Sequence, residues 1–473
     1  MMLDTNNGPR PLLKKTPQDL AHVVKVGELR PAPRPAHSPL TSARSRRHVA
    51  ECWHVIFAPD ETRFAWLCGT SRVLIVPWNR FKNCLLSLDN TDDEGNEIKG
   101  QVVSIDAGSP VNSAGFGSGT PESQLAHPPQ RQYWTRFDFS NKELVFATGH
   151  VNGRVRIWDV YTGCKLLELM DHTQAVRDLA FAPDGSLRLV SASLDRTIKV
   201  WDLRDDGNMF KTLKGHSNEI FWCCWSPNAQ LLASAGIGKS IMVWDMVTYS
   251  LARTLTGHHH NVSACEFSPD GAILASSSWD TRVILWDPYT GVELRELCHQ
   301  YPPPRPIFAS GANGSWVRGV AYARNGGQTA TISDDGLIRF WNLLEPEVDP
   351  SAIAQGDEEM VCCTFSPSGR VFAVGTKESR VSFYLAPRVV FSLKHLARMA
   401  VRRQVLATPN IDQLLLPAPL KTYLKYRIGF KKTKHFDRFF FPFCACVSFC
   451  VCVCVLSSLE GKGGLTFSFY KPH

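Results

Sequence analysis

The chain has 473 residues, of which 44% are apolar and only 20% charged, so it is long enough for one large domain or two to three ordinary domains. This composition excludes a coiled coil, a collagen and a wholly disordered chain. The net charge of +8 comes from the two ends, because residues 51–390 hold roughly 30 basic and 38 acidic groups. That body is mildly acidic and therefore a poor surface for nucleic acid.

The N-terminal segment, residues 1–21, is predicted to be disordered. It contains Lys14 and Lys15 and no apolar run as long as that of a secretory signal peptide. Cysteines such as Cys223, Cys224 and Cys265 are scattered over apparent strand positions and indicate reduced core thiols. These features predict an intracellular protein that lies in the cytoplasm, with the nucleus as an additional location.

Trp-Asp pairs recur along the chain at an interval of about 43 residues. The tryptophans of these pairs are Trp158, Trp201, Trp244 and Trp286, and their spacings are 43, 43 and 42 residues. A constant period of this size indicates a repeat fold in which each repeat is one structural unit.

Three further repeats extend this series to seven. Trp341 follows after 55 residues, because the Pro-rich insertion 301–314 lengthens the interval, and Tyr384 takes the Trp position 43 residues later. Upstream, Trp78 ends a repeat 80 residues before the first Trp-Asp pair. The excess length is assigned to an insertion loop at about residues 88–130.

Each repeat has the residue pattern of short strands joined by tight turns. A Gly-His or Asp-His pair opens the repeat, and a Ser/Ala-Pro-Asp/Asn turn follows, as at residues 268–271. Proline presets the backbone φ of such a turn and glycine tolerates a positive φ. Small and β-branched residues then alternate with a period of two, which predicts strands.

These repeats resemble the WD-repeat family, in which each repeat forms one four-stranded blade of a β-propeller. The resemblance implies an all-β, seven-bladed WD-repeat β-propeller over residues 22–387. It also implies a His–Ser–Asp–Trp tetrad that satisfies the buried polar groups of a blade. Two repeats are expected to carry it in full: His172, Ser193, Asp195 and Trp201, and His258, Ser278, Asp280 and Trp286.

Two other repeats are expected to lack part of the tetrad and to depend on packing. The repeat of Trp244 has Gly238 in the Asp position, and the repeat of Trp341 has Ser333 and Asp335 but no histidine. Because such polar sets recur once per blade, they are interpreted as structural and not as catalytic triads.

The ring needs a strand to complete its last blade, since nothing strand-like follows Tyr384 directly. A short strand near residues 22–29 is predicted to supply this edge, which would leave no open sheet edge in the ring.

Residues 388–430 are predicted to form a small α-helical module. Residues 392–403 contain no Gly or Pro and carry a narrow apolar stripe at helical spacing. The segment Leu416-Pro417-Ala418-Pro419 is stiff and extended, and it leads into a second short amphipathic helix.

This arrangement resembles a SOCS box. The resemblance implies that the first helix binds the elongin B–elongin C pair through Leu393, Leu396, Ala397 and Val401. It implies that the second motif binds a cullin of the fifth type, with its RING-box protein, through Leu416, Pro417, Pro419, Leu420, Tyr423 and Leu424. Ala397 stands where the family has Cys, which is expected to cost roughly 1 kcal/mol of binding free energy.

A WD-repeat propeller followed by a SOCS box is the layout of the WD-repeat and SOCS-box-containing protein family, which the chain resembles over about residues 50–430. The resemblance implies a non-catalytic substrate receptor of a cullin–RING ubiquitin ligase, whose propeller captures an unknown target protein. The alternative is a WD-repeat interaction scaffold whose SOCS box is degenerate because of Ala397.

The target is expected to bind the top face of the propeller, where the inner strands begin around the central channel. Aromatic and Arg side chains are effective interface anchors. Aligning the repeats selects Arg177, Phe221, Trp222, Trp279 and Arg318. Ordinary blade packing is the alternative role for each of these residues.

The tail, residues 431–473, is basic at first and then rich in Cys and Val. Its 18 uncharged residues at 439–456 follow four basic residues and are a short membrane-anchor candidate on hydropathy alone. Translated non-coding sequence is the favoured alternative, because Pro442 and alternating Cys and Val are unusual in a membrane helix. A membrane partner is therefore not expected.

No other motif points to chemistry or to a bound group. The sequence has no Gly-rich phosphate loop, isolated carboxylate pair, nucleophile motif or metal-site Cys/His spacing. The run at residues 44–47 is basic but has no aromatic residues with it. We therefore predict no enzyme activity, no cofactor, no metal and no nucleic-acid partner.

Overall fold

The computed structural model describes eleven stretches of the chain: residues 21–30, 52–68, 71–78, 102–119, 144–299, 316–344, 350–356, 359–389, 392–404, 408–414 and 416–426. Within them it contains seven β-sheets and three short helices. Residues 1–20 and the predicted tail at 431–473 lie outside the described residues.

The strands form seven blades in chain order. The first two strands are β1 (Ala21–His22) and β2 (Lys25–Leu29). Blade 1 contains β3 (Val55–Phe57), β4 (Arg63–Cys68), β5 (Arg72–Pro77) and β6 (Val103–Asp106). Blade 2 contains β7 (Val111–Ser118), β8 (Leu144–His150), β9 (Val155–Asp159) and β10 (Lys165–Leu169). Blade 3 contains β11 (Val176–Phe181), β12 (Arg188–Ser193), β13 (Thr197–Asp202) and β14 (Asn208–Lys214).

The remaining blades follow the same order. Blade 4 contains β15 (Ile220–Trp225), β16 (Leu231–Gly236), β17 (Ser240–Asp245) and β18 (Ser250–Thr256). Blade 5 contains β19 (Val262–Phe267), β20 (Leu274–Ser278), β21 (Arg282–Trp286) and β22 (Glu293–Cys298). Blade 6 contains β23 (Val317–Tyr322), β24 (Gln328–Ser333), β25 (Leu337–Asn342) and β26 (Ala352–Gln355). Blade 7 contains β27 (Met360–Phe365), β28 (Val371–Thr376) and β29 (Val381–Leu385), and the helices α1 (Leu393–Gln404), α2 (Thr408–Gln413) and α3 (Ala418–Leu424) come after it.

The blades form a closed ring, so the prediction of a seven-bladed propeller is confirmed. The innermost strands β3, β7, β11, β15, β19, β23 and β27 contact one another in this order, and β27 contacts β3. The core lies between neighbouring blades. For example, Val190 and Ile198 of blade 3 pack with Ile220 and Trp244 of blade 4. Burial of such apolar faces on both sides of each sheet is the main stabilising contribution to the ring.

The N-terminal strands complete two blades. Strand β2 pairs antiparallel with β29, with Lys25 opposite Tyr384 and Leu29 opposite Val381, which confirms the predicted closing strand. Strand β1 pairs parallel with β26 and gives blade 6 a fifth strand. Ala21, predicted to end the disordered segment, therefore begins β1 instead.

The predicted insertion loop at 88–130 is wrong in part, because it contains β6 and β7. The sequence of β7, VNSAGFGS, has the small residues of a loop. Those small residues are required by packing, since a Cβ at Gly117 would lie only 2.5 Å from the ring of Phe181 in blade 3. Gly117 therefore marks a close approach of two blades and not a turn.

The tetrads form, but their serines are not the predicted ones. In blade 3, Trp201 Nε1 donates to Ser191 Oγ (2.8 Å), which lies 2.7 Å from His172 Nε2, and His172 Nδ1 lies 2.7 Å from Asp195 Oδ2. Ser193 instead donates to the carbonyl oxygen of Gln174 and accepts from the Asp195 amide.

The tetrad serine of blade 5 also differs from the predicted one. Ser276 lies between His258 Nε2 and Trp286 Nε1, at 2.8 Å from each, whereas Ser278 bonds to the backbone of His260 and Asp280. Burial alone would raise the pKa of Asp280, but the hydrogen bond and the charge of His258 lower this pKa to about 2.

The tryptophan binds a hydroxyl ten residues before it in five blades. The hydroxyls belong to Thr148, Ser191, Ser234, Ser276 and Thr331. In blade 6 the prediction of a missing histidine is wrong, because His299 Nε2 lies 2.8 Å from Thr331 Oγ1. His299 was overlooked because it precedes the 301–314 insertion.

We expect Ser191→Ala to destabilise the propeller by roughly 2–4 kcal/mol, because it leaves two buried nitrogens, of His172 and Trp201, without their partner. Ser193→Ala is the matched control, and its cost is smaller because Ser193 bonds only to backbone groups. Denaturant unfolding of both variants measures the difference. Equal midpoints would contradict the assignment of Ser191 to the tetrad.

Candidate functional site

Helix α1 packs on the propeller through its basic face. His395, Arg398 and Arg402 are buried, together with Met399, although arginine side chains are rarely buried. The Nε2 of His395 lies 3.1 Å from the carbonyl oxygen of Asn325 in blade 6. The apolar stripe is therefore not the face that attaches the helix to the propeller.

The predicted elongin-binding residues lie on the other side of α1. The side chains of Leu393 and Leu396 are 80% and 50% exposed. Ala397 and Val401 are half-buried and continue the stripe along the helix. Leu393 and Leu396 therefore form an exposed apolar pair on α1, and their binding of elongin stays a prediction.

The predicted cullin-binding residues surround the start of α3. Pro417 is extended (φ −55°, ψ 144°), but α3 already begins at Ala418, so the predicted extended segment is two residues too long. Ala418 and Pro419 lie in the first turn of the helix, where a proline is tolerated. Pro417 and Pro419 are exposed, and Leu416, Leu420 and Tyr423 are half-buried. Leu424 is only 6% exposed, because one side of an amphipathic helix faces inward, and its cullin contact stays a prediction.

Four of the five predicted target-binding residues form two groups of Arg and aromatic side chains. Arg177, Phe221 and Arg318 lie in the first two residues of inner strands, whereas Trp279 lies in the turn between β20 and β21, so its predicted strand-entry position is wrong. The Arg177 guanidinium lies over the rings of Trp53 (4.7 Å) and Phe221 (5.6 Å). The Arg318 guanidinium lies over the rings of Trp316 (4.9 Å) and Trp279 (5.9 Å). These side chains are partly exposed, as interface anchors must be.

The group around Arg318 is held in place by two further interactions. Trp279 and Trp316 stack in parallel at 4.4 Å with an interplanar angle of 6°, and Arg318 makes two hydrogen bonds to Asp334. Sequence reasoning missed Trp53 and Trp316. Both precede inner strands of the two blades with irregular repeat spacing, so a complete alignment of strand entries could have found them.

Trp222 belongs to the central channel rather than to either group. It contacts His54, with ring centroids 5.9 Å apart, and lines a cavity of about 640 Å³. The same cavity is lined by Asp178 and Glu266.

These two carboxyl groups connect neighbouring inner strands. Asp178 accepts the amide hydrogen of Cys223 (2.8 Å), and Glu266 accepts that of Tyr322 (2.9 Å). Burial raises the pKa of Asp178 to about 7 and that of Glu266 to about 8, although each of these hydrogen bonds lowers it. Both groups are therefore partly protonated near neutral pH.

A metal-binding cluster and a membrane-spanning helix are both absent from the part of the chain that the structure describes. No group of three or more His, Cys, Asp or Glu side chains there is placed to hold a metal ion. No helix there is long and apolar enough to cross a membrane, and the anchor candidate 439–456 lies outside the described residues.

Comparison with known proteins matches both parts of the chain. Residues 163–202, 207–245 and 249–287 match the family model of the WD domain, G-beta repeat, and residues 389–425 match that of the SOCS box. WD repeat and SOCS box-containing protein 1 of Xenopus tropicalis is 48% identical over 403 residues, covering 82% of this chain and 94% of that protein. The proteins of the same name from Homo sapiens and Danio rerio are each 49% identical, covering 80% of this chain and 92% and 91% of theirs.

We expect Glu266→Gln to raise the melting temperature at pH 9 by roughly 2–5 °C and to leave it unchanged near pH 5. The folded-state pKa of Glu266 is raised, so the folded protein binds the proton more tightly and loses stability as the pH rises towards 8. Glutamine cannot ionise and escapes this loss. Thermal melts of Glu266→Gln and the parent from pH 5 to 9 measure this difference. The control is Glu293→Gln, at an exposed position of the same blade. Identical pH profiles of Glu266→Gln and the parent would contradict the prediction.

Proposed function

The chain belongs to the WD repeat and SOCS box-containing protein family, and from that premise we propose that it is the substrate-recognition subunit of an elongin B/C–cullin–RING ubiquitin ligase. The observation that carries the proposal is the exposed leucine pair, Leu393 and Leu396, on a helix attached to the propeller by its opposite face. That arrangement leaves the elongin-binding side of the SOCS box open.

The proposed assembly uses each part of the SOCS box for one partner. Elongin C, with elongin B, covers the leucines of α1. A cullin of the fifth type, carrying its RING-box protein, contacts the segment around Pro417 and Pro419. The RING-box protein recruits the ubiquitin-loaded conjugating enzyme, on which the chemistry takes place.

The chain itself contributes proximity and not catalysis. A target bound to the propeller stays close to the conjugating enzyme, which raises the effective concentration of the target's lysines without new bond-making groups. The two groups of aromatic and Arg side chains around Arg177 and Arg318 are the proposed capture surface. We propose that this assembly acts inside the cell, in the cytoplasm, with the nucleus as an additional location.

The second candidate function is a WD-repeat scaffold that has lost elongin binding. The observation that favours it is Ala397, whose methyl group is half-buried and small where the SOCS box family has a cysteine. The two candidates differ in a single measurable property, the affinity of the chain for elongin B–elongin C.

We expect the full chain to bind purified elongin B–elongin C, and Leu393→Asp to lower that affinity by roughly 100-fold, because it places a charge at the main apolar anchor. Ala397→Cys is expected to tighten binding several-fold through added apolar contact. Titration calorimetry measures both. Val247→Asp, at a propeller side chain that is 73% exposed, is the matched control. No binding by the parent chain would favour the scaffold.

We expect Trp279→Ala to reduce target capture by roughly tenfold, because it removes one ring of the stack and one of the two rings beneath Arg318. Phe210→Ala, at an aromatic residue of the outer strand β14, is the control. In-cell crosslinking followed by quantitative mass spectrometry compares the proteins bound by parent and variants. Equal loss from both variants would contradict a role for the top face, and elongin binding should be unchanged in both.

A further inference from the structure

Arg398 lies where the two halves of the SOCS box meet the propeller. Its guanidinium carbon is 3.8 Å from the ring centroid of Tyr426 and 4.6 Å from that of Tyr423. The side chain of Arg398 is buried, and a desolvated cation over an aromatic ring is held more strongly than an exposed one. Arg398 therefore connects α1, which carries the elongin-binding leucines, to the segment that is proposed to bind the cullin.

Tyr426 connects this pair of helices to blade 5. Its hydroxyl donates a hydrogen bond to Asp270 Oδ2 at 2.5 Å, and both side chains are 4% exposed. Ser268 donates to the other carboxylate oxygen of Asp270 at 2.6 Å, so the turn between β19 and β20 fixes the acceptor. Charge-assisted hydrogen bonds of this kind are short and directional.

His395 adds a second contact, to blade 6. Its Nε2 must donate, because the Asn325 oxygen at 3.1 Å is a carbonyl and can only accept. Its Nδ1 then accepts from Arg398 Nη2 at 3.1 Å, since a guanidinium can only donate. One neutral histidine tautomer therefore joins Arg398 to the propeller.

Met399 adds an apolar contact. Together with His395, Arg398 and Tyr426 it forms what we call the joint between the SOCS box and the propeller. It covers Gly326 so closely that a Cβ there would lie 2.6 Å from Met399 Cε. The joint thus has polar contacts to blades 5 and 6 and one tight apolar contact, and none of them involves Leu393 or Leu396.

We propose that Arg398 and Tyr426 are positioning residues that lock the elongin helix, the cullin segment and the propeller at one fixed angle. The consequence of this fixed angle rests on the proposed function. A target bound to the top face is then presented to the conjugating enzyme in one orientation. The lock is separate from partner binding, because the two use opposite faces of α1.

Hydrogen exchange of the full-length chain tests the lock in Tyr426→Phe, which removes one hydroxyl and keeps the ring beneath Arg398. We expect the α1 amides to exchange roughly 10- to 100-fold faster in this variant, because the buried Asp270 carboxylate loses a partner. Tyr249→Phe is the matched control, since it removes a tyrosine hydroxyl bonded to Arg188 in the propeller. Unchanged α1 exchange in Tyr426→Phe would overturn the inference.

Positioning is tested by a second readout in the reconstituted ligase, with elongin B–elongin C, the cullin, its RING-box protein and a conjugating enzyme. Mass spectrometry identifies which of the chain's own lysines are modified. We expect a narrow set in the parent and a wider set in Tyr426→Phe, with elongin affinity equal in both. An identical set in both would overturn the positioning role even if α1 exchanged faster.

The two proposals fail in different ways. If the parent does not bind elongin B–elongin C, the proposed function fails, while the exchange experiment still decides whether the lock exists. If elongin binds and exchange does not respond to Tyr426→Phe, the proposed function stands and the lock is refuted.

Discussion

The pairing of β2 with β29 is the constraint on which the other features depend. Without an outer strand, blade 7 would leave the edge of β29 unpaired, and here that strand comes from the opposite end of the described chain. Val26 and Leu29 of β2 also pack on the core that blades 7 and 1 share, so the strand stabilises the contact at which the ring closes. The additional pairing of β1 with β26 carries the same segment across to blade 6.

The sequence predicted the spacing of the blades correctly, but it assigned the wrong serines to the hydrogen-bonded tetrads inside them. Ser191 and Ser193 are two residues apart on one strand, so their side chains lie on the same face of the sheet. The alternation of inward and outward side chains therefore does not distinguish the two serines. The repeats themselves hold the answer, because only the position ten residues before the tryptophan carries a hydroxyl in all five of these blades. Strand β7 was missed for a different reason: its small residues are set by Phe181 of another blade, which no local pattern reveals.

The packing of the SOCS box on the propeller was also not predictable from local sequence patterns. The apolar stripe of α1 and the Leu-Pro-Ala-Pro segment could be identified from residue types and spacing. The burial of Arg398 and Arg402 could not be predicted in this way, because arginine is rarely buried unless it is paired. The tyrosine rings that lie beneath Arg398 belong to residues 25 and 28 positions later in the chain. Charged residues on a short helix indicate a solvent-facing side by default, and only the tertiary structure reverses that expectation.

Helix α1 therefore divides two tasks between its faces. Apolar contacts are non-directional, so the exposed leucines can supply affinity for a partner without fixing an angle. Hydrogen bonds weaken steeply when they are misaligned, so the polar contacts of His395, Arg398 and Tyr426 can fix an angle while adding little affinity for that partner. Substitutions on one face should then change how tightly the proposed ligase assembles, and substitutions on the other should change which lysines it modifies.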